Sequence, residues 1–207
     1  EPIDHEFPFL CYPKRKLTIE DVKWALSSHF QDTPFDPYGT GTAVEKKQFR
    51  SIALNRNQQI HILQIRNNIA PELAGIHWLA FGPNTFNGVV PFYSHITDTP
   101  AAYRDTTKVY DPLNHYWLSR TLALIGDSDY DRYSDLAARF ELDTMAYSRR
   151  IQHQTDQAWL DHDQPAMLLE KANAQMADHY MEQATFLLGK MVESGSQKMT
   201  LRFNLAD

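Results

Sequence analysis

The sequence predicts an α+β fold, in which antiparallel strands form the centre and long helices form the C-terminal half. Residues 50–93 contain short segments with the two-residue period of β-strands, whereas residues 114–194 repeat apolar side chains at the three-four spacing of helices. Several of the central segments are apolar on both faces, which is typical of strands that are buried on both faces. We therefore expect the sheet to lie between two other layers of structure.

The chain is predicted to form one unit with four consecutive regions. Residues 1–17 contain three prolines and no apolar period, which favours an extended lead-in. Residues 18–110 are expected to hold a helix and the β-sheet region, residues 111–194 a helical region, and residues 195–207 a final strand.

The first helix is predicted to begin after Thr18. Thr18 and Asp21 have the spacing of a capping box, in which each side chain accepts a hydrogen bond from the backbone N–H of the other residue. The helix should end near Phe30, because the segment that follows, QDTPFDPYGTGT, is dense in turn-forming residues. Its apolar side is predicted to consist of Ile19, Val22, Leu26 and Phe30.

Four strands are predicted in the centre of the chain, at residues 50–55, 59–66, 76–81 and 89–93. The first two are separated by Arg56 and Asn57, which suit a tight turn. The last two belong to the almost uncharged stretch GIHWLAFGPNTFNGVVPFY, which reads as a hairpin with Asn84 and Asn87 at its tip.

Three helices are predicted in the C-terminal half, over residues 114–125, over residues 129–161, and from Asp163 to Gly195 with Pro165 in the first turn. A final strand is predicted at residues 198–204. The last helix carries a methionine-rich apolar stripe, which we interpret as core packing rather than as a cofactor site. The members of this stripe are Leu169, Met176, Tyr180, Leu187 and Met191.

The composition excludes several classes of function. A formal net charge of −6 without a basic cluster argues against nucleic-acid binding, and no segment has the apolar length of a membrane span. A single cysteine excludes an internal disulfide framework and favours the reducing cytoplasm. Because the chain begins with Glu1, we expect it to be processed or to be part of a longer protein.

Common catalytic and metal-binding motifs are absent from the sequence. It contains no GxSxG, phosphate loop, GxGxxG, HExxH or CxxC pattern. The nine histidines are scattered, whereas zinc sites usually include one close pair of ligands. Residues 161–163, Asp-His-Asp, form the closest cluster and more simply serve as a turn and helix cap. We therefore expect neither a metal ion nor a cofactor.

Cys11, Asp32 and Asp36 each have a catalytic and a structural interpretation. Cys11 could act as a nucleophile beside the cations of residues 14–16, but its place in a proline-flanked lead-in favours an incidental thiol. Asp32 and Asp36 could form a general acid/base pair. Aspartate beside proline more often accepts a hydrogen bond from a backbone amide in a turn, and we favour that interpretation.

Arg50, Asn84 and Asn87 are the most informative polar residues of the central region. Arg50 begins a predicted apolar strand, so it either points to solvent or faces a carboxylate, which in a binding site would be that of a substrate. Asn84 and Asn87 either adopt the positive φ of a hairpin turn or donate their amides to an oxyanion. From spacing alone, the solvent or structural role is favoured for Arg50 and the turn role for the asparagines.

Four segments together resemble a known family. FQDTPFDPYG, RSIALNRNQQIHILQIR, LAGIHWLAFGPNTFNGVVPFY and YWLSRTLALIGD are similar, in this order, to the later half of the bacterial dipeptidase A family, cysteine hydrolases of the N-terminal nucleophile superfamily. The resemblance implies an αββα sandwich of two stacked sheets. It also implies hydrolysis of dipeptides by a cysteine at the mature N-terminus, whose α-amino group serves as base.

The sequence departs from the pattern of this family at the nucleophile. Residue 1 is Glu, and Cys11 does not lie in a segment like the opening of the family. We therefore expect the chain to be the C-terminal part of a dipeptidase, inactive alone, whose partner is the missing N-terminal half. The resemblance implies supporting roles for Arg50, Asn84 and Asn87, and pocket-lining roles for His77 and Trp78. A dipeptide substrate, a homo-oligomer and a cytoplasmic location are also expected.

Two alternatives remain at the level of sequence. The chain could be a non-catalytic scaffold or interaction module, since it lacks the nucleophile and has long amphipathic helices. It could also belong to an amidase that acts on another small linear amide.

Overall fold

The computed structural model of the protein describes residues 6, 8, 10–159 and 165–199. In these residues the chain forms one three-stranded antiparallel sheet of order β1-β2-β3, together with six α-helices. The predicted α+β class is confirmed. The elements are α1 (Ile19–Leu26), β1 (Gln59–Ile65), α2 (Pro71–Ala74), β2 (Gly75–Phe81), β3 (Val90–Tyr93), α3 (Ala101–Arg104), α4 (His115–Ser128), α5 (Tyr130–Ala158) and α6 (Pro165–Ser196), with 3-10 turns at Glu45–Lys47 and Asn84–Phe86.

Helix α1 begins as its capping box predicts. The Thr18 hydroxyl accepts a hydrogen bond from the Asp21 N–H at 3.2 Å, and the Asp21 carboxylate accepts one from the Thr18 N–H at 2.8 Å. The helix ends at Leu26, before the predicted end near Phe30. The reason is that Phe30 and Asp32 both have positive φ angles, of 66° and 62°, which no α-helix contains.

The predicted strand at residues 50–55 is wrong. These residues form bends and turns, in which Leu54 donates its N–H to the Ile52 carbonyl at 2.9 Å and Asn57 donates to the Leu54 carbonyl at 3.0 Å. The Asn57 amide adds a hydrogen bond to the Ile52 carbonyl at 3.0 Å. Because local turn bonds occupy these backbone groups, the short apolar run cannot join the sheet.

The sheet buries one face along all three strands. Direct cross-strand pairs such as Ile60 with Ala80, and Ile62 with Trp78, place their side chains on this face. Ile60, Ile76, Trp78 and Ala80 are buried there. The alternation along β2 therefore gives the sheet a well-defined register.

The other face of the sheet is covered at β3 and open at β1. Val90 and Phe92 are buried on this face, and Phe92 contacts the ring of Tyr103 in α3. In contrast, Leu63 and Ile65 of β1 are 74% and 80% exposed. The expectation that both faces are buried is thus wrong for β1 within the described residues, because these contribute no layer over its second face.

The long C-terminal helices build most of the core. The methionine-rich stripe of α6 is buried from Leu169 to Met191, as the three-four spacing predicts. Helix α4 begins one residue after its N-cap, Asn114, which accepts a hydrogen bond from the Trp117 N–H. Helix α5 ends at Ala158. Residues 161–163 and most of the predicted strand at residues 198–204 lie outside the described residues.

Candidate functional site

The connection between β2 and β3, residues 82–89, is the most polar buried segment of the sheet. It contains the 3-10 turn Asn84–Phe86, and both Asn84 and Asn87 are buried. The positive φ that the sequence assigns to these asparagines belongs to Gly82 instead, at 81°. A Cβ atom on Gly82 would also approach the Ser119 side chain to 3.1 Å, so glycine serves both the turn and the packing against α4.

Asn84 ties this connection to helix α1. Its side-chain amide donates to the Leu26 carbonyl at 2.8 Å. Its backbone carbonyl accepts hydrogen bonds from Lys23 Nζ at 2.9 Å and from Ser27 Oγ at 3.0 Å. The end of α1 and the β2–β3 connection are therefore held as one unit.

Asn87 forms hydrogen bonds to the end of β2 and to the first residue of the connection. Its amide nitrogen donates to the carbonyls of Phe81 and Gly82, at 3.0 Å and 2.9 Å. These two bonds use both N–H groups of Asn87, whereas Asn84 uses one of its two. The Oδ1 atoms of both asparagines are buried without a hydrogen-bond partner among the described residues. Asn84 thus has one side-chain N–H without a hydrogen-bond partner among the described residues.

Lys23 is a buried cation that sequence reasoning missed. It is 1% exposed, and its ammonium group donates to Ser27 Oγ at 2.8 Å and to Glu141 Oε2 at 3.1 Å, besides the Asn84 carbonyl. Burial lowers the pKa of Lys23, and the nearby Glu141 carboxylate opposes that shift. The available signal was its position four residues after Ile19 and three before Leu26, on the apolar side of α1.

Asp36 and His29 form a second buried pair beside the same connection. His29 Nδ1 lies 2.9 Å from Asp36 Oδ1, and His29 Nε2 lies 3.3 Å from the Tyr130 hydroxyl. Asp36 also accepts the Tyr38 N–H at 2.9 Å, which is the turn role that the sequence favours. Asp32 is exposed and lines the same groove as Asp36, but the carboxylate of Asp36 is already engaged by His29 and by the Tyr38 N–H.

Tyr38 and Tyr130 extend this cluster to the surface. Their rings stack with centroids 4.2 Å apart, and the Tyr38 hydroxyl donates to Asp127 Oδ1 at 2.6 Å. Burial and the Asp127 carboxylate raise the pKa of Tyr38, so the phenol stays protonated and acts as a donor. Next to it lies a cavity of about 130 Å³ between the β2–β3 connection and α4. It is lined by Tyr38, Ala53, Asn55, Pro83, Thr85, Phe86, Arg120, Ala123, Leu124 and Asp127.

The remaining residues singled out in the sequence lie elsewhere. Arg50 is exposed on the loop before β1. Trp78 is fully buried and donates its indole N–H to Gln64 Oε1 at 2.9 Å, so it belongs to the core. His77 points to the opposite face of β2, where it lines a groove of about 550 Å³ with Leu79 and Phe92. The structure thus brings Asn84 and Asn87 together and leaves Arg50, His77 and Trp78 apart.

Among residues 6, 8, 10–159 and 165–199, no group of three or more His, Cys, Asp or Glu side chains could hold a metal ion. Within the same ranges, no helix has both the length and the apolar character needed to cross a membrane.

Comparison with known proteins assigns the chain to a family. The profile of Peptidase family C69 matches residues 1–143. The chain belongs to Peptidase family C69. It is 52% identical over its whole length to a probable dipeptidase B of Lactococcus lactis, and 45% identical to dipeptidase A of Lactobacillus helveticus. In each case the match covers 44% of the relative.

A third relative in this family is a probable dipeptidase of Latilactobacillus sakei, 36% identical over 98% of the chain and 43% of that protein. The chain therefore spans less than half the length of the curated relatives that it matches. The resemblance to dipeptidase A on four sequence segments is confirmed.

Proposed function

We propose that this chain is the later part of a dipeptidase and completes its activity together with the rest of the enzyme. The observation that carries the proposal is the match of the whole chain, at 52% and 45% identity, to family members named dipeptidases. The match extends over the strands, the β2–β3 connection and the helices.

The proposed chemistry uses a cysteine thiolate at the mature N-terminus of the complete enzyme. The thiolate attacks the carbonyl carbon of the dipeptide, and the α-amino group of the same cysteine takes the thiol proton and passes it to the leaving amine. Water then attacks the thioester and releases the second amino acid, while the proton it loses returns to the thiolate. Cys11 does not suit this role, because ten residues precede it in this chain and its nitrogen is part of a peptide bond rather than a free α-amino group.

The open side of β1 is proposed as the docking surface for the rest of the enzyme, and the remainder would supply the second sheet of an αββα sandwich. Leu63 and Ile65 project from the exposed face, and no described strand pairs with the outer edge of β1. Covering each of these two side chains contributes about 2 kcal/mol, which favours a packed layer over solvent.

The β2–β3 connection is the proposed contribution of this chain to the catalytic centre. The free N–H of Asn84 is a suitable donor to the oxyanion of the tetrahedral intermediate, and Asn87 holds the connection in shape. Lys23 places a positive charge behind the Asn84 carbonyl, 2.9 Å away, and so fixes the turn. Arg50, exposed on the loop before β1, is proposed as a further supporting residue. His77 is proposed to line the pocket wall under the layer that the rest of the enzyme would supply.

The experiment that tests the proposal is hydrolysis of a dipeptide panel by the protein expressed from its full reading frame. Release of both amino acids is expected, and replacement of the mature N-terminal cysteine by alanine should abolish it. An Asn84→Ala variant should lower kcat about 100-fold with a small change in KM, because it removes an oxyanion donor. Hydrolysis that persists without the cysteine would contradict the mechanism, and no hydrolysis of any dipeptide would contradict the function.

Location and assembly complete the proposal. The single exposed thiol of Cys11 suits a reducing compartment, so we place the enzyme in the cytoplasm. Homo-oligomerisation stays a prediction, which the mass of the complete protein in solution would test.

A further inference from the structure

The cavity between the β2–β3 connection and α4 carries two opposite charges on one helix face. Arg120 and Asp127 lie seven residues apart on α4, and Ala123 and Leu124 lie between them in the same lining. Residues at positions i, i+3, i+4 and i+7 share one face of a helix, so the cavity has a cation at one end, a carboxylate at the other and an apolar floor.

Both charged groups keep hydrogen-bonding capacity for a ligand. Asp127 accepts the Tyr38 hydroxyl at Oδ1, and no described residue hydrogen-bonds its Oδ2. Arg120 donates from Nη1 to the Asn55 carbonyl at 3.3 Å, which leaves most of its five N–H donors unused by the described residues. The two side chains do not form an ion pair with each other within the described part of the chain.

The spacing of the two charged residues along α4 is of the order of the length of a short peptide. Seven residues of helix separate the two Cα atoms by about 10 Å, and the longer arginine side chain leans towards the helix N-terminus and adds to this separation. An extended dipeptide spans about 7 Å between its charged ends, and a charge-assisted hydrogen bond of about 2.8 Å at each end brings the total to about 13 Å. A single amino acid is about 3 Å shorter than a dipeptide, and a tripeptide is about 3 Å longer.

We propose that this cavity binds the zwitterion of a free dipeptide, with Arg120 on the terminal carboxylate and Asp127 on the α-ammonium group. The proposal rests on the proposed dipeptidase function and adds which residues bind the two charged ends of the substrate. The cavity shares Pro83, Thr85 and Phe86 with the connection that carries Asn84, although Asn84 itself does not line it.

The test measures how the complete enzyme discriminates against ligands that lack one charge. We compare kcat/KM for Ala-Ala, N-acetyl-Ala-Ala and Ala-Ala amide in the wild type, in Asp127→Asn and in Arg120→Gln. Asp127→Asn should reduce the preference for the free amine at least tenfold, and Arg120→Gln should do the same for the free carboxylate. Each preference is a ratio of two rates on one preparation, so a loss of folded enzyme cancels.

Matched controls are Asp131→Asn and Arg139→Gln, which neutralise exposed charges on α5 outside this cavity. Both should leave the two preferences unchanged. Wild-type hydrolysis with unchanged preferences in Asp127→Asn and Arg120→Gln would overturn the inference and leave the dipeptidase function intact.

Calorimetric titration separates failure of the inference from failure of the function. The probe is Ala-Ala methylated at its peptide nitrogen, which keeps both terminal charges. The wild type should bind it, and each cavity variant should bind it at least tenfold more weakly. If the wild type binds the probe in this way but hydrolyses no dipeptide, the proposed function is refuted and the proposed binding cavity is supported. If the wild type does not bind the probe, the inference is overturned.

Discussion

The two edge strands of the sheet, β1 and β3, differ in whether other parts of this chain hydrogen-bond to their outer edges. At β3, the side chain of Asn173 in α6 accepts the Tyr93 N–H at 2.9 Å and donates to the Tyr93 carbonyl at 3.1 Å. At β1, no described strand pairs with the outer edge, and Leu63 and Ile65 face solvent. An exposed apolar edge strand invites pairing, so natural proteins cover or blunt such edges. The β3 side is thus completed by this chain itself, whereas the β1 side has the surface expected of an interface.

The largest expected effect comes from breaking the completed side. Asn173→Leu removes the side-chain partner of both backbone groups of Tyr93 and leaves them buried. Each buried group without a partner costs about 1–3 kcal/mol, so the free energy of unfolding should fall by about 4 kcal/mol. Urea unfolding at pH 7 measures this. Gln59→Leu, on the exposed start of β1, is the control and should change it by less than about 0.5 kcal/mol.

The buried cation at the end of the sheet gives the next largest effect. Lys23→Met leaves the Asn84 carbonyl without its ammonium donor and Glu141 without its partner, and should destabilise the fold by about 3 kcal/mol. Because Glu141 is partly exposed, the second change Glu141→Gln should restore about 1 kcal/mol. A double-mutant cycle by chemical denaturation measures this coupling, and strictly additive changes would show that the two groups do not interact.

The pH dependence of stability should report the burial of His115 beneath the completed side. His115 is fully buried against Tyr103 and Tyr180, and burial lowers its pKa to about 3, against an opposing effect of the Ala102 backbone. The unfolded chain takes up a proton near pH 6.5 and the folded chain does not, so stability is complete above that pH and is lost on acidification. The expected loss between pH 7 and pH 5 is about 2 kcal/mol.

The replacement His115→Phe keeps the aromatic packing and removes this proton. Its unfolding free energy should therefore depend less on pH over the same range, by about 2 kcal/mol. His61, exposed on the open face of β1, provides the control. If His115→Phe and His61→Gln have the same pH profile, His115 does not carry the effect.

Sequence periodicity predicted the parts of the fold that depend on local pattern. The buried stripe of α6 and the alternation of β2 were predicted because each repeats over many residues. The segment of residues 50–55 was assigned wrongly, since three apolar residues in a row fit a strand and a turn equally well. The capping box at Thr18 was predicted because both partners are three residues apart.

The site was harder to predict because its partners are distant in sequence. Lys23 meets Glu141, 118 positions away, and His29 meets Tyr130, 101 positions away. No local sequence pattern indicates such pairs, and a lysine in an amphipathic helix is normally assigned to the solvent-exposed face. Asn84 and Asn87 were singled out as turn residues, but their burial and their bonds to α1 and β2 depend on the folded chain.

We expect the open side of β1 to be covered in the complete enzyme. Leu63→Cys and Leu142→Cys place thiols at positions that are 74% and 67% exposed in this chain, the second on the outer side of α5. Thiol labelling of the full-length protein, followed by peptide mapping, gives the modification rate at each position. Position 63 should be labelled at least 100-fold more slowly than position 142. Equal rates at both positions would contradict this expectation.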